Sequence, residues 1–167
     1  MKKIVIITAS DNENLKLARK FKLLMSKKNC EIVLWNLITF DLPMYTQQRE
    51  KKEIPENIFV YMNILESADC AVFVTPEYNG GVPPILSNFL AWISRSGKKD
   101  WRKCFNKKKA VLATHSGNGG LRVLAALRLQ LSYLGMNIIG REIVTTFDKE
   151  LNQNDLVDVI DQLVDGL

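Results

Sequence analysis

Residues 75–95 read TPEYNGGVPPILSNFLAWISR, and the organisation of the whole chain can be worked outward from them. Just ahead, Cys70-Ala71-Val72-Phe73-Val74 is an unbroken hydrophobic run, the pattern of a parallel strand buried on both faces. Gly80 and Gly81 permit positive φ and close backbone approach, and Pro83 and Pro84 suit the turn into a first helical position. Leu86, Phe89, Leu90 and Ile93 then recur at helical spacing. A strand that ends in a Gly-Pro loop and re-enters a helix sets backbone amides at a helix N-terminus beside a tight turn. Such a junction suits a flat polar ligand.

Upstream, Lys3–Thr8 reads as a buried first strand and Ala9–Asn14 as the loop into a helix reaching about Lys28, with Leu15, Ala18, Phe21, Lys22 and Met25 along one side. Glu31–Asn36 is a second strand. The chain is then irregular from Leu37 to about Ile54, with Leu42-Pro43-Met44-Tyr45 as an apolar anchor. Pro55 opens a helix through Ile58, Met62, Leu65 and Ala68. Downstream, Ala110–Thr114 is a fourth strand that runs through His115-Ser116-Gly117-Asn118-Gly119-Gly120 into a Leu-rich helix ended by Gly135. Asn137–Thr146 supplies a fifth strand and Asn154–Val164 a closing helix with Leu156, Val159, Ile160 and Leu163 inward. Strands alternating with helices predict an α/β protein, a doubly wound parallel sheet of five strands in order 2-1-3-4-5 with helices on both faces. At 167 residues it is expected to form a single domain, 1–167. In that order the loops after strands one, three and four meet at the carboxyl edge, where ligands bind.

The start, MKKIVIITAS, has an apolar run too short for a signal peptide, and no stretch approaches a membrane span, so the expected location is the cytoplasm. Cys30, Cys70 and Cys104 form no CxxC pair, which argues against a disulfide framework or a metal site; Cys104 is either a structural thiol or one activated by neighbouring cations. Between Lys98 and Lys109 seven basic residues stand against one acid, Asp100, exceeding the net charge of +5. That segment reads as a solvated loop or as a field that attracts a phosphorylated dinucleotide. It carries no nucleic-acid recognition pattern. Asp148, Glu150, Asp155, Asp158, Asp161 and Asp165 give the C-terminal segment an acidic, solvated face.

Pro76-Glu77-Tyr78-Asn79, followed by small residues, a Pro and an amphipathic helix containing Trp92, resembles the flavin-ring loop of the NAD(P)H-dependent FMN reductase family, which has a three-layer flavodoxin-like fold. Ser116–Gly120 and the Leu-rich helix after it resemble the same family's second glycine turn. The resemblance implies an FMN cofactor with NADPH or NADH as cosubstrate, and hydride transfer to a small acceptor such as a quinone, azo compound, metal oxyanion or free flavin. It implies that Pro76, Glu77, Tyr78, Asn79 and Gly80 line one edge of the flavin and that Ser116, Gly117 and Gly120 flank the other, with His115 beside the ring. It also implies a homodimer or a dimer of dimers. No protein acid or base is required for catalysis, because the cofactor carries the chemistry. His115 has two readings, a proton relay or a loop histidine satisfied by its neighbours, and Glu77 reads as a residue that holds its own loop.

The first loop departs from the family's Gly-Ser, Arg, Ser, Asn pattern. Here it is Thr8-Ala9-Ser10-Asp11-Asn12-Glu13-Asn14, without the Arg. Ser10, Asn12 and Asn14 supply donors for the FMN phosphate, while Asp11 and Glu13 either oppose it or only favour the helix N-terminus. Two alternatives follow. One is a flavodoxin-like binding or regulatory protein that has lost FMN. The other is an electron carrier, which the basic charge disfavours.

Overall fold

Ile4 to Thr8 are all buried, as are all five residues from Cys70 to Val74, so both central strands have helices on each side. The computed structural model describes residues 1–164; Asp165, assigned above to the acidic face, lies outside them. The elements are β1 (Lys2–Thr8), α1 (Glu13–Met25), β2 (Cys30–Asn36), α2 (Gln47–Lys52), α3 (Glu56–Ser67), β3 (Cys70–Val74), α4 (Pro84–Ser96), β4 (Lys109–His115), α5 (Leu121–Tyr133), β5 (Asn137–Ile138), β6 (Ile143–Thr145) and α6 (Gln153–Val164). The sheet is parallel, in the order β2-β1-β3-β4-β5, with β6 also on β4. Ile6 pairs with Leu34 on one side and Val72 on the other, and Val72 with Val111. This is the flavodoxin-like arrangement.

Period-two alternation divides the core in two. Ile4, Ile6, Val72, Val74, Val111 and Ala113 face α1 and α6, which contribute Leu17, Phe21, Leu156 and Ile160. Val5, Ile7, Ala71, Phe73, Ala110 and Leu112 face α3, α4 and α5, through Met62, Phe89, Trp92 and Leu127. The buried side of α1 is Asn14, Leu17, Ala18, Phe21 and Met25, so the stripe is rotated from the expected one and Lys22 lies outside it.

Several local features differ from expectation. The fifth strand is broken. Residues Asn137–Ile138 pair with Lys109 and Ala110, and Ile143–Thr145 with Ala113 to His115. Between them the Arg128 guanidinium donates to the carbonyl oxygens of Ile139 and Gly140, at 3.1 and 3.4 Å, and to the Glu142 carboxylate at 2.7 Å. An Arg fork that takes both carbonyls removes them from any strand ladder. The irregular segment contains α2, capped by the Thr46 hydroxyl, which accepts from Arg49 N–H. It is anchored where Trp92 Nε1 donates to Pro43 O at 2.7 Å and Asn88 bridges Pro43 O and Tyr45 N. The basic stretch is partly structural rather than solvated. Lys103 pairs with Glu66 at 2.7 Å, and Lys108 Nζ donates to the carbonyls of Glu66 and Ala68 at the C-terminal end of α3, where a cation is favoured. Burial lowers the Lys108 pKa. The acidic face of α6 is likewise paired, Asp155 with Arg141 at 2.7 Å and Asp161 with Lys28 at 2.6 Å. Among the described residues no helix is long and apolar enough to cross a membrane.

Candidate functional site: a cradle at the carboxyl edge of the sheet

β1 ends in a loop tied down by Ala9 N–H to Val74 O at 3.1 Å, so the first and third loops leave the sheet together. Ser10 is buried, and its carbonyl accepts from the Thr8 hydroxyl at 3.1 Å. Asn12, the residue before α1, has φ 58° and ψ −126°, outside the ordinary regions for a side-chain-bearing residue, and makes no capping bond with its side chain. Such a conformation costs on the order of 1–3 kcal/mol and clusters at functional sites. It leaves the first-turn amides of α1 without a side-chain acceptor, the condition in which a helix start receives an anion.

The two acids of this loop have partners inside the protein. Asp11 Oδ1 accepts from Asn36 Nδ2 at 2.6 Å. Glu13 is paired with Lys16 at 2.6 Å, and that hydrogen bond lowers its pKa. Asn14 departs from its expected place as a side-chain phosphate donor. It is buried, donates to His115 O at 3.0 Å and accepts from His115 N–H at 2.8 Å. Its side chain therefore joins the start of α1 to the end of β4, and its backbone amide is what remains for a ligand.

In the third loop Tyr78 and Gly81 exchange backbone bonds of 3.2 and 2.9 Å around Asn79 at φ 51° and Gly80 at φ 71°. Two successive positive φ values make the Asn-Gly turn typical of tight hairpins. Gly81, which could also take a positive φ, does not. Pro84 opens α4 as its first residue. Glu77 reaches across to the fourth loop, its Oε2 accepting from Val123 N–H at 3.1 Å in the first turn of α5. Gly120, the residue before α5, has no side chain to cap that helix, and Glu77 supplies the carboxylate from another loop.

The fourth loop turns through Gly119 at φ 83° and Gly120 at φ 66°, with Ser116 N–H donating to Thr145 O at 3.1 Å. A Cβ on Gly120 would stand 2.6 Å from Thr114 Cγ2. Gly117 lies beneath Phe147, which is 80% exposed.

Ser10, Asp11, Asn12, Glu13, Asn14, Tyr78 and His115 line one open cavity of about 380 Å³ together with Ile38. Pro76, Glu77, Asn79, Gly80, Ser116, Gly117 and Gly120 form the adjoining loops and do not line it. The His115 ring is turned away. It lies on the α1 and α6 side of β4, with Nδ1 3.0 Å from Thr145 Oγ1 and its edge against Phe147. Ile38, Asn36, Thr145 and Phe147 were not singled out from sequence. Asn36 and Ile38 follow β2, whose carboxyl end adjoins that of β1, so the edge rule itself was the signal that would have found them.

The thiols are remote from this site. Burial pushes Cys70 up to about 12 and Cys104 up to about 11, which makes both inert.

The sequence profile described as NADPH-dependent FMN reductase matches residues 2–150. The chain belongs to that family. Its members are oxidoreductases that use FMN with NAD(P)H, and the cradle agrees with this in its uncapped helix start beside β1. An uncharacterised protein of Mycoplasma pneumoniae is 28% identical over 150 residues, covering 87% of this chain and 88% of that protein. A quinone reductase of Pseudomonas putida is 35% identical over 98 residues, 58% of this chain and 51% of the reductase, so the match spans about half of that enzyme. Among solved structures, the flavoenzyme FerB of Paracoccus denitrificans, an NAD(P)H:acceptor oxidoreductase, superposes with a TM-score of 0.77 at 21% identity over 99% of this chain and 94% of FerB. That likeness supports the flavodoxin-like fold.

Proposed function

We propose that this FMN reductase family member passes a hydride from NADPH or NADH, through FMN, to a small acceptor, and that the acceptor is a quinone. Membership of the family supports the cofactor pair, and the named quinone reductase among its relatives supports the acceptor. The observation that carries the reading is the single cavity in which the first loop, Tyr78 and the end of β4 meet beside the uncapped start of α1. Ser10 and the backbone amides of Asn12 to Asn14 hold the phosphate. Pro76 to Gly80 present main-chain groups to one edge of the ring, and Ser116, Gly117 and Gly120 flank the other. His115 contributes through its main chain, held by Asn14. FMN, when bound, supplies reversible two-electron storage, and the protein's part is to orient it, fix N–H donors near it and leave one face open. Donor and acceptor then use that face in turn, which yields ping-pong kinetics.

The protein acts as one domain in the cytoplasm, in keeping with buried, unpaired Cys70 and Cys104. It works as a homodimer. Leu121, Leu129 and Tyr133 are 75%, 74% and 72% exposed along one strip of α5, beside a groove of about 630 Å³ between α4 and α5 lined by Leu90, Trp101 and Leu134. An apolar strip of that kind on a charged protein marks a surface that is covered.

The test is a titration of the purified chain with FMN, followed by NADPH oxidation with a benzoquinone. Saturable quenching of flavin fluorescence and quinone-dependent oxidation are expected. Asp11→Asn, which removes a charge from the cradle and keeps a partner for Asn36, is expected to tighten FMN about fivefold. A chain that takes up no FMN, alone or as Asp11→Asn, overturns the reading in favour of a binding protein built on the same fold.

A further inference from the structure

Asp11 and a phosphate held by the first loop bring like charges into one cavity of about 380 Å³. No described lysine or arginine lines that cavity, so no cationic side chain separates them there. Glu13, the other acid of the loop, is matched by Lys16 at 2.6 Å. Asp11 is held instead by a neutral donor, Asn36 Nδ2, at 2.6 Å from its Oδ1. An amide does not offset a charge as a lysine does. What it can do is fix where the charge sits.

Asn36 is the last residue of β2, in register with Thr8 of β1. Its Oδ1 accepts from Ile38 N–H at 3.1 Å, and its carbonyl oxygen accepts from the Thr39 hydroxyl at 2.8 Å. A side-chain amide has one oxygen and one NH2 end, so the bond from Ile38 to the oxygen sets the NH2 toward Asp11. The turn that follows is bolted to the core. Leu37 is fully buried, and the Phe40 ring stacks on Tyr61 at 4.3 Å, with Trp35 and Phe89 in edge contact at 5.8 and 6.0 Å. The donor is thus locked before any ligand arrives, as a supporting residue behind a binding loop must be. In the sheet order, β2 lies on the other side of β1 from β3 and β4, the strands that bring Tyr78 and His115 to the cavity. The bond therefore draws the Asp11 carboxylate toward β2 and away from that wall.

We propose that Asn36 is a positioning residue for the FMN phosphate: it tethers the Asp11 carboxylate on the β2 side, so that the first-turn amides of α1 stay open to the anion. This rests on the cofactor reading above. Asn36 does not itself line the cavity and acts only through Asp11. The tether accounts for a phosphate loop that carries an acid and no arginine.

FMN and riboflavin share the ring and the ribityl chain and differ only in the phosphate. Both are titrated, by quenching of flavin fluorescence, into the full wild-type chain and its variants. Asn36→Ala is expected to weaken FMN about fivefold, the effect of one like charge let in to about 4 Å, and to leave riboflavin unchanged. Asn36→Asp, which keeps an acceptor for Ile38 N–H and loses the donor, is expected to weaken FMN at least as much. In an Asp11→Asn background Asn36→Ala is expected to have no further effect, because no charge is left to hold. The exchange, Asp11→Asn with Asn36→Asp, restores the hydrogen bond with the carboxylate on β2 and is expected to bind FMN at least as tightly as wild type. A merely structural role would weaken both flavins equally and persist in the Asp11→Asn background. Either result overturns the proposal, as does an Asn36→Ala affinity equal to wild type; where riboflavin binds too weakly to measure, the Asp11→Asn background decides. If the wild-type chain takes up no FMN, the cofactor reading fails, and the same variants are compared with inorganic phosphate as the probe. No binding, or affinities that do not differ, then overturns the tether as well.

Discussion

Replacing Gly120 with alanine places a methyl group where two independent constraints meet. The backbone there is left-handed, at φ 66°, which costs a residue with a Cβ about 1–2 kcal/mol. The new carbon would also stand 2.6 Å from Thr114 Cγ2 and 3.0 Å from Thr114 Oγ1. Thr114 is wholly buried in β4 and has no solvent to swing into, so the collision adds an overpacking cost of about 1–3 kcal/mol. Together these make Gly120→Ala destabilising by about 2–5 kcal/mol. At about 2–4 °C per kcal/mol for a domain of this size, Tm falls by about 4–20 °C. Urea unfolding of the wild type, Gly120→Ala, Thr114→Ser and the double variant forms a cycle that separates the two terms. Serine lacks the methyl carbon nearest the clash, so the double variant recovers the collision and retains the backbone cost, giving a coupling of about 1 kcal/mol or more. A single variant within about 0.5 kcal/mol of wild type, or a cycle that adds without coupling, would refute the reasoning.

Asn14→Ala leaves both the N–H and the C=O of His115 without their partner and is expected to cost about 2–4 kcal/mol in urea unfolding, with FMN affinity falling in parallel as α1 loosens from β4. Of the three thiols, Cys30 alone is expected to react with a disulfide reagent in the native state. Cys70 and Cys104 become reactive only on unfolding, and rapid native labelling of either would contradict their burial. Leu129→Glu puts a charge in the exposed strip of α5 and is expected to convert a dimer to a monomer in sizing chromatography with little change in Tm; an unchanged elution volume would remove that strip from the interface.

The cross-loop bond from Glu77 to Val123 illustrates how this edge is built. Gly120 is required by its close approach to Thr114 and so cannot cap α5. The carboxylate that does so comes from the loop after β3, which locks the two glycine turns to each other. Asn14 performs the equivalent task between the first loop and β4. Three turns from distant parts of the chain are thereby held in one relative position, as a rigid planar ligand needs.

From the sequence alone, the period of the hydrophobic residues determined the strands at 3–8, 70–74 and 110–114 and the long helices between them, though not the short helix Gln47–Lys52, and the alternation of strand and helix determined a parallel sheet with its loops gathered at one edge. These are local signals, repeated every two or 3.6 residues, and they survive without knowledge of neighbours. Tertiary structure alone decided which side of β4 the His115 ring occupies, which partner Asn14 takes 101 residues away, and where Arg128 interrupts the last strand. Each of those depends on a directional hydrogen bond between groups far apart in the chain, and a bond of that kind imposes no periodicity on the residues around it. The positive φ of Asn12 belongs to the same class, since no hydrophobic periodicity announces it.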